Sequence, residues 1–367
     1  MKKVIVGVSG GVDSAVSAYL LKKEGYLVEG LFMRNWDSTI NNDYLGNPNL
    51  NNNICPQEQD YNDALEVCRK INIPLHRVDF VKEYWDFVFT YFLEELKKGR
   101  TPNPDVMCNK YIKFDLFVKE AKKLGADYIA TGHYARLIDG KLAKAVDKNK
   151  DQSYFLAYVN KDIFKDVLFP LGEIEKPEVR KIAREYGLVT ASKKDSTGIC
   201  FIGERNFKEF LTNYLPNQEG DIVDIDTNEV LGKHMGLMYY TIGQRRGLDI
   251  GGNEKRLYVV GKDLDKNVLY VSLGDDTKYL LTDEAIIEDV NFISEKRPKK
   301  CTAKFRYRQS DIDVAIEYLE NGNLSVKYDN VKSVTPGQAC VLYLGEECLG
   351  GGIIKEVRKD GKKLWYL

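Results

Sequence analysis

A chain of 367 residues is too long for one ordinary core and predicts two or three domains. Its 43% hydrophobic and 30% charged side chains are those of a soluble globular protein, and no apolar run of 18 residues occurs, so nothing is expected to span a membrane. The net charge of -1 conceals local clusters of one sign, so any polyanion site must be built locally.

The first strand begins at Lys3, which leaves no room for a leader and predicts a cytoplasmic protein. "KVIVGV" reads as a buried strand, and after the glycines of "SGGVDS" a helix sets Val12, Val16, Tyr19 and Leu20 on one face and stops at Gly25. "YLVEGLFM", "PLHRVDF" and "ADYIATGH" follow as strands, with helical stretches such as "YNDALEVCRKI" between them. This alternation predicts an α/β fold, a doubly wound parallel sheet that binds ligands at the carboxyl ends of its strands. Residues 35–60 interrupt the rhythm; the asparagine-rich part, 41–53, is either a working excursion near the site or a tolerated surface insertion. After about residue 205, "DIVDIDTNEVLG", "RLYVVGKDLDKNVLYVSL" and "VAIEYLENGNLSVKYD" read as β-hairpins. The expected division is an α/β domain over 1–205, a small central β-rich domain over 206–278 and a β-barrel or sandwich over 279–367.

Chemistry concentrates in a few stretches. Gly10 and Gly11 let the backbone turn tightly against a phosphate, where the first N–H groups of the following helix act as donors. Ser9 and Ser14 add hydroxyls, and Asp13 caps the helix or holds a magnesium ion. The lysine of the commonest phosphate loop is missing, so the anion is expected to rest on backbone dipoles without a point charge. Seven cysteines (Cys55, Cys68, Cys108, Cys200, Cys301, Cys340, Cys348) form no CxxC pair, and His76, His133 and His234 are scattered, which argues against a zinc site. "GRTPNPDVMCNKYIKF" sets Asp105 three residues before Cys108, beside Lys110 and Lys113, and "KKDSTGICFIGERNF" sets Cys200 after Lys193 and Lys194. Nearby cations lower a thiol pKa, and a carboxylate at that distance can move protons. Either cysteine alone reads equally well as a buried thiol; two in similar settings within a nucleotide-using domain point to sulfur chemistry. Residues 296–308, "KRPKKCTAKFRYR", carry seven basic side chains interleaved with Phe305 and Tyr307. With Arg245, Arg246 and the tail "RKDGKKLWYL", they suggest a polyanion lying across several parts of the chain.

"SGGVDS" resembles the SGGxDS signature of the PP-loop ATP pyrophosphatase family, which cleaves ATP between its first two phosphates and adenylates a carbonyl oxygen. That accounts for the absent lysine but leaves the substrate open among several synthetases. Together with "ATGHYAR", "NKDQSYFL", "GLMYYTIGQRRGL", "FRYRQSDI" and "TPGQACVLY", the cysteine segments resemble, in collinear order over nearly the whole chain, the tRNA-specific 2-thiouridylase family. The resemblance implies a PP-loop domain, a central domain and a C-terminal β-barrel. It implies 2-thiouridine formation at the wobble position of tRNAs for Lys, Glu and Gln, with ATP and Mg2+ as cofactors. By residue, it implies ATP contacts from Gly7, Val8, Ser9, Gly10, Gly11, Val12, Asp13 and Ser14, with Met33 and Gly132 near the adenine or ribose. Asn103, Pro104 and Asp105 would border the target base, with Asp105 as acid/base. Cys200 would carry a persulfide and Cys108 would be the thiol that closes a disulfide with it. Lys150, Asp151, Gln152, Arg306 and Tyr307 would touch tRNA. The implied partners are the tRNA anticodon arm and a persulfide donor protein, with no DNA and no membrane. A nitrogen-inserting PP-loop synthetase and a non-catalytic tRNA-binding protein remain the alternative readings.

Overall fold

Five parallel strands make the first sheet, in the order β3–β2–β1–β4–β7: β1 (Lys3–Gly7), β2 (Leu27–Arg34), β3 (Leu75–Asp79), β4 (Tyr128–Ala130) and β7 (Val167–Leu168). A computed structural model describes residues 1–49, 56–195, 198–200, 202–203, 205–248, 250, 256–274 and 278–367. Cys55 and part of the asparagine-rich stretch lie outside them. Successive side chains of β1 point to opposite faces. Val4 and Val6 pack with Val16 of α1 (Val12–Lys23) and Val67 of α2 (Pro56–Ile71), while Ile5 joins Leu31, Phe89, Ile112 and Phe117 on the other face. Both faces are therefore covered, as the predicted α/β fold requires. The order of the sheet reverses between β1 and β4, and such a reversal opens a crevice at the carboxyl ends of those two strands.

Two further sheets follow. β8 (Gly220–Asp224), β9 (Val230–His234), β10 (Leu257–Asp263) and β11 (Val268–Leu273) form a four-stranded sheet in the order β10–β11–β8–β9. The C-terminal strands are β12 (Leu281–Phe292), β13 (Lys300–Lys304), β14 (Ile312–Tyr318), β15 (Leu324–Lys332), β16 (Ala339–Leu344) and β17 (Glu347–Lys359). They run β12–β15–β14–β13–β16–β17, and pairing of β12 with β17 closes them into an antiparallel barrel. Alternation drives it: Val314 and Ile316 point inward with Val326 and Leu342, whereas Asp313 and Glu317 face water. The sequence left barrel and sandwich open; the β12–β17 ladder decides for the barrel. No helix among the described residues is long and apolar enough to cross a membrane.

The sequence did not foretell how the N-terminal chain reaches the barrel. A hairpin of β5 (Ala135–Ile138) and β6 (Lys141–Lys144) leaves the first sheet and pairs with β17 at Ala143 and Glu347. Behind it, Tyr154 donates its hydroxyl to the Ala339 carbonyl at 2.8 Å and Ser153 meets the Tyr343 hydroxyl at 3.2 Å. These are tertiary pairings between segments about two hundred positions apart, which no local pattern encodes.

Candidate active site

The glycine loop lies at the switch point. Gly10 has φ +73°, and a Cβ there would come within 2.3 Å of the Asp60 carbonyl oxygen on α2, so the position demands glycine. Gly11 caps α1 with no side-chain hydrogen bond, which leaves the first-turn N–H groups facing the crevice. Ser14 Oγ accepts from the Ser9 N–H at 3.1 Å and lies 3.2 Å from Ser9 Oγ, fixing the curl of the loop. Gly132, just past β4, presses on the start of α1: a Cβ would sit 2.8 Å from the Ser14 nitrogen. Met33, at the end of β2, lies against Gly7 on the other side. Gly7 through Ser14, Met33 and Gly132 thus form one continuous rim.

The loop is not without lysine, which corrects the expectation of a site lacking point charge. Lys176, from the helix Lys176–Glu185, grips both oxygens of Asp13 at 2.7 Å, and Tyr134 donates to Asp13 Oδ1 at 2.8 Å. Lys193 donates to the Gly10 carbonyl at 2.9 Å and pairs with Asp60 and Asp63. Behind them, Asp195 gathers Lys150, Lys176 and Arg180 at 2.5–2.9 Å. Burial raises the Asp195 pKa, but the bonds and charges of Lys150 and Lys176 outweigh it and hold the carboxyl well below its usual range. Nothing local announces Lys176, which is 163 positions from Asp13. Only the "KKD" run hinted at the network.

The two cysteines meet, 92 positions apart in sequence, with Cys108 Sγ donating to Cys200 Sγ at 3.8 Å. A one-turn helix, Pro104–Met107, delivers Cys108; Asn103 caps it by accepting from the Asp105 N–H at 3.2 Å, and Pro104 occupies a position that needs no N–H. Asp105 Oδ1 accepts from the Cys200 N–H at 3.1 Å, and the Tyr84 hydroxyl donates to the Cys200 carbonyl at 2.7 Å. From Cys108 to Leu116 the helix is π-wound, so residues i and i+5 stack. In an α-helix Lys113 would be turned about 140° away from Cys108; here it faces the sulfurs. Burial lowers the Lys113 pKa, but its interactions with Cys200, Cys108 and Asp105 outweigh it and keep the lysine protonated.

These contacts divide the thiols. The bond from Cys108, together with the Lys113 charge, lowers the Cys200 pKa against burial, whereas burial and the neighbouring sulfur drive Cys108 well above its ordinary value. Cys200 is therefore the more readily ionised of the two thiols, and the expectation that flanking lysines activate Cys108 is corrected. Lys110 turns aside, 5.4 Å over the Tyr158 ring, and Lys193 serves the glycine loop. Burial raises the Asp105 carboxyl, opposed by the Cys200 N–H and Lys113. Asn109, donating Nδ2 to the Asp105 carbonyl at 2.8 Å, keeps a buried Oδ1 with no partner among the described residues.

The expected RNA contacts fall into two groups. Arg306 is exposed, and Tyr307 is half-buried, its ring 4.4 Å from Phe155. Phe305, by contrast, is a barrel core residue and offers no face to a base. Lys150 pairs with Asp195, and Gln152 Oε1 accepts from the Tyr134 N–H at 3.1 Å. Asp151 is buried; it accepts from Ala145 N, Ser153 N and Ser153 Oγ and pairs with Lys304 at 3.4 Å, so it braces the hairpin from within.

Comparison with known proteins agrees with this architecture. Family models match in three consecutive stretches: "tRNA methyl transferase HUP domain" over residues 2–204, "tRNA methyl transferase PRC-barrel domain" over 208–273 and "Aminomethyltransferase beta-barrel domain" over 282–354. The tRNA-specific 2-thiouridylase MnmA of Mycoplasmopsis synoviae (strain 53) is 57% identical over 368 residues, covering 100% of this chain and 99% of that protein. Its namesake from Mesoplasma florum is 58% identical over 96% of this chain and 98% of its own length. MnmA 2 of Geobacillus kaustophilus is 54% identical over 100% and 98%. Among solved structures, a 4-thiouridine synthetase–RNA complex with bound ATP aligns at TM-score 0.34 and 18% identity over 54% of this chain and 44% of that one, too distant to inform the site. Fold and site together define a HUP-type nucleotide-binding domain that carries a dithiol centre and two appended β domains. The chain belongs to the tRNA-specific 2-thiouridylase family.

Proposed function

We propose that this protein is a tRNA-uridine 2-sulfurtransferase that uses ATP to convert the wobble uridine of tRNAs for Lys, Glu and Gln to 2-thiouridine. The observation that carries the reading is the Cys108–Cys200 pair at 3.8 Å in the same α/β domain as the glycine loop. Two matched family models carry methyl transferase wording, but a thiol pair in one domain with a pyrophosphate-type loop favours sulfur transfer.

Sulfur enters when the Cys200 thiolate attacks the terminal sulfur of a donor protein's persulfide; a Cys200 persulfide forms and the donor leaves as its thiol. At the loop, the uridine C2 oxygen attacks the α-phosphorus of ATP, an O–P bond forms and pyrophosphate departs. The free N–H groups at Gly11 and the Lys193 and Lys176 charges suit that leaving group. The persulfide's terminal sulfur then adds at C2 and AMP leaves. Cys108 next attacks Cys200 Sγ, which frees the thiolated base and joins the two cysteines; the remaining approach to a bond of about 2.05 Å is roughly 1.8 Å. The Cys108 proton must go elsewhere, and the raised, buried Asp105 carboxyl is the acceptor in reach of this segment. An external dithiol resets the disulfide after each turnover.

Asn103, Pro104 and Asp105 would border the base, and the orphaned Asn109 oxygen adds an acceptor for its N–H. Magnesium would arrive on the ATP phosphates. Asp13 does not suit it as a ligand, because Lys176 already fills both carboxylate oxygens. Arg306, Tyr307, Lys150 and Gln152 would meet the anticodon arm. The free cysteines suit a reducing cytoplasm.

Loading the protein with a persulfide donor and mapping sulfane sulfur by mass spectrometry should find it on Cys200. Adding ATP and unmodified tRNA should then convert that population to a Cys108–Cys200 disulfide. Sulfane sulfur confined to another cysteine, or no disulfide after turnover, would refute the two-thiol route.

A further inference from the structure

Away from the cysteines, the three domains line a partly open cavity of about 210 Å³. Its wall carries Lys98 and Arg100 from the first domain, Lys262 from β10, and Lys355, Glu356 and Lys363 from the barrel and its tail: five cations to one carboxylate. Four of the cations have acidic partners. Lys98 and Arg100 reach Glu95 at 2.8 and 3.2 Å, Arg100 and Lys355 reach Glu288 at 3.0 and 3.4 Å, and Lys363 lies 3.9 Å from Glu356. Lys262 has none. It is buried, its ammonium donates to the Gly99 carbonyl at 2.8 Å, and no carboxylate among the described residues pairs with it. Burial alone pushes its pKa down to about 7.

A buried ammonium is costly without a counter-charge, and the carboxylates of this wall are already engaged by its other cations. At about 210 Å³ the space falls short of the roughly 300 Å³ at which pockets for drug-sized ligands begin, so it suits a single small anionic group.

We propose that this three-domain seam is a second anion site, built for one oxyanion of the phosphate class that supplies the counter-charge Lys262 lacks. The phosphate group belongs either to a free ion, such as the pyrophosphate released at the glycine loop, or to a phosphodiester of bound RNA. Either occupant would hold the Gly99 carbonyl through Lys262, at the start of the segment that leads to Asp105 and Cys108.

Titration calorimetry at pH 6.5 with sulfate, and separately with pyrophosphate, tests the site on the full-length protein. Wild type should bind sulfate saturably, and Lys262→Met should weaken binding at least tenfold. Should that variant fail to fold, Lys355→Gln, on the rim, should still weaken it several-fold. Sulfate binding that is absent, or that is untouched by both variants because it belongs to the glycine loop, overturns the proposal. The source of the phosphate is read from RNA affinity. If the natural occupant is a phosphodiester, Lys262→Met weakens anticodon-arm binding and sulfate competes with it; if it is a free ion, RNA affinity is unchanged while sulfate and pyrophosphate affinity still falls.

Discussion

Lys113 adds to the hydrogen bond from Cys108 in favouring ionisation of Cys200, a cysteine that lies far downstream in the chain. It can do so because the π-wound stretch from Cys108 to Leu116 turns it onto the sulfurs. Replacing it with Met removes a cation from the thiolate, so the Cys200 pKa must rise. A rise of about one pH unit is about 1.4 kcal/mol, and iodoacetamide trapping of Cys200 at neutral pH should slow about tenfold. A pH–rate profile unchanged from wild type would show that Lys113 is not the stabilising charge. The spacing of Asp105, Cys108, Lys110 and Lys113 was legible in the sequence, but which lysine faced the thiol was not. An α-helical reading turns Lys113 away, and nothing in "CNKYIKFDL" declares a π-turn. Which of the two thiols ionises more readily, and the lysines at the glycine loop, were hidden for a related reason: the partners come from remote segments.

At the scale of elements, the segment that leads to Asp105 is clamped by the C-terminal barrel. Thr101 donates its N–H to the Pro336 carbonyl at 2.9 Å, Gln338 donates to the Thr101 carbonyl at 2.7 Å, and a Cβ on Gly337 would press within 2.9 Å of the Thr101 nitrogen. A second bracket explains the asparagine-rich stretch as far as residue 49. Asp43, fully buried, accepts from Trp36 Nε1 at 2.9 Å and pairs with Arg205 at 2.7 Å, while the Gly46 carbonyl accepts from Asn206. The excursion thereby holds the chain just past Cys200. Removing one partner of a buried pair costs about 3–5 kcal/mol, so Asp43→Ala should lower the urea midpoint by that equivalent with the slope unchanged. A loss under about 1 kcal/mol would mean that water already screens the pair. The hairpins were readable because two-residue alternation is local. This bracket was not, because its order comes from an arginine 162 positions away.

Over the whole molecule, the seven cations of residues 296–308 are not one solvated stripe. Lys296 pairs with Glu347, Arg297 lies 3.6 Å over the Phe292 ring and Lys304 turns in to Asp151, which leaves Lys299, Lys300, Arg306 and Arg308 facing outward. If Arg306 neutralises one phosphate, Arg306→Ala should weaken tRNA binding and flatten the plot of log affinity against log salt by about 0.9. An unchanged slope would remove Arg306 from the interface. The order of three domains could be read from the change in hydrophobic period. Their docking could not, since it rests on Tyr154, Gln338 and the β5–β6 hairpin, whose partners are remote in sequence. The central claim, ATP-driven sulfur transfer through two thiols, is tested most directly by nucleoside mass spectrometry of unmodified tRNA. The tRNA would be incubated with ATP, magnesium, a persulfide donor, a dithiol and either wild-type, Cys108→Ser or Cys200→Ser protein. The account predicts 2-thiouridine with wild type and little or none with either variant; unmodified uridine with wild type, or full thiolation by either variant, would contradict it.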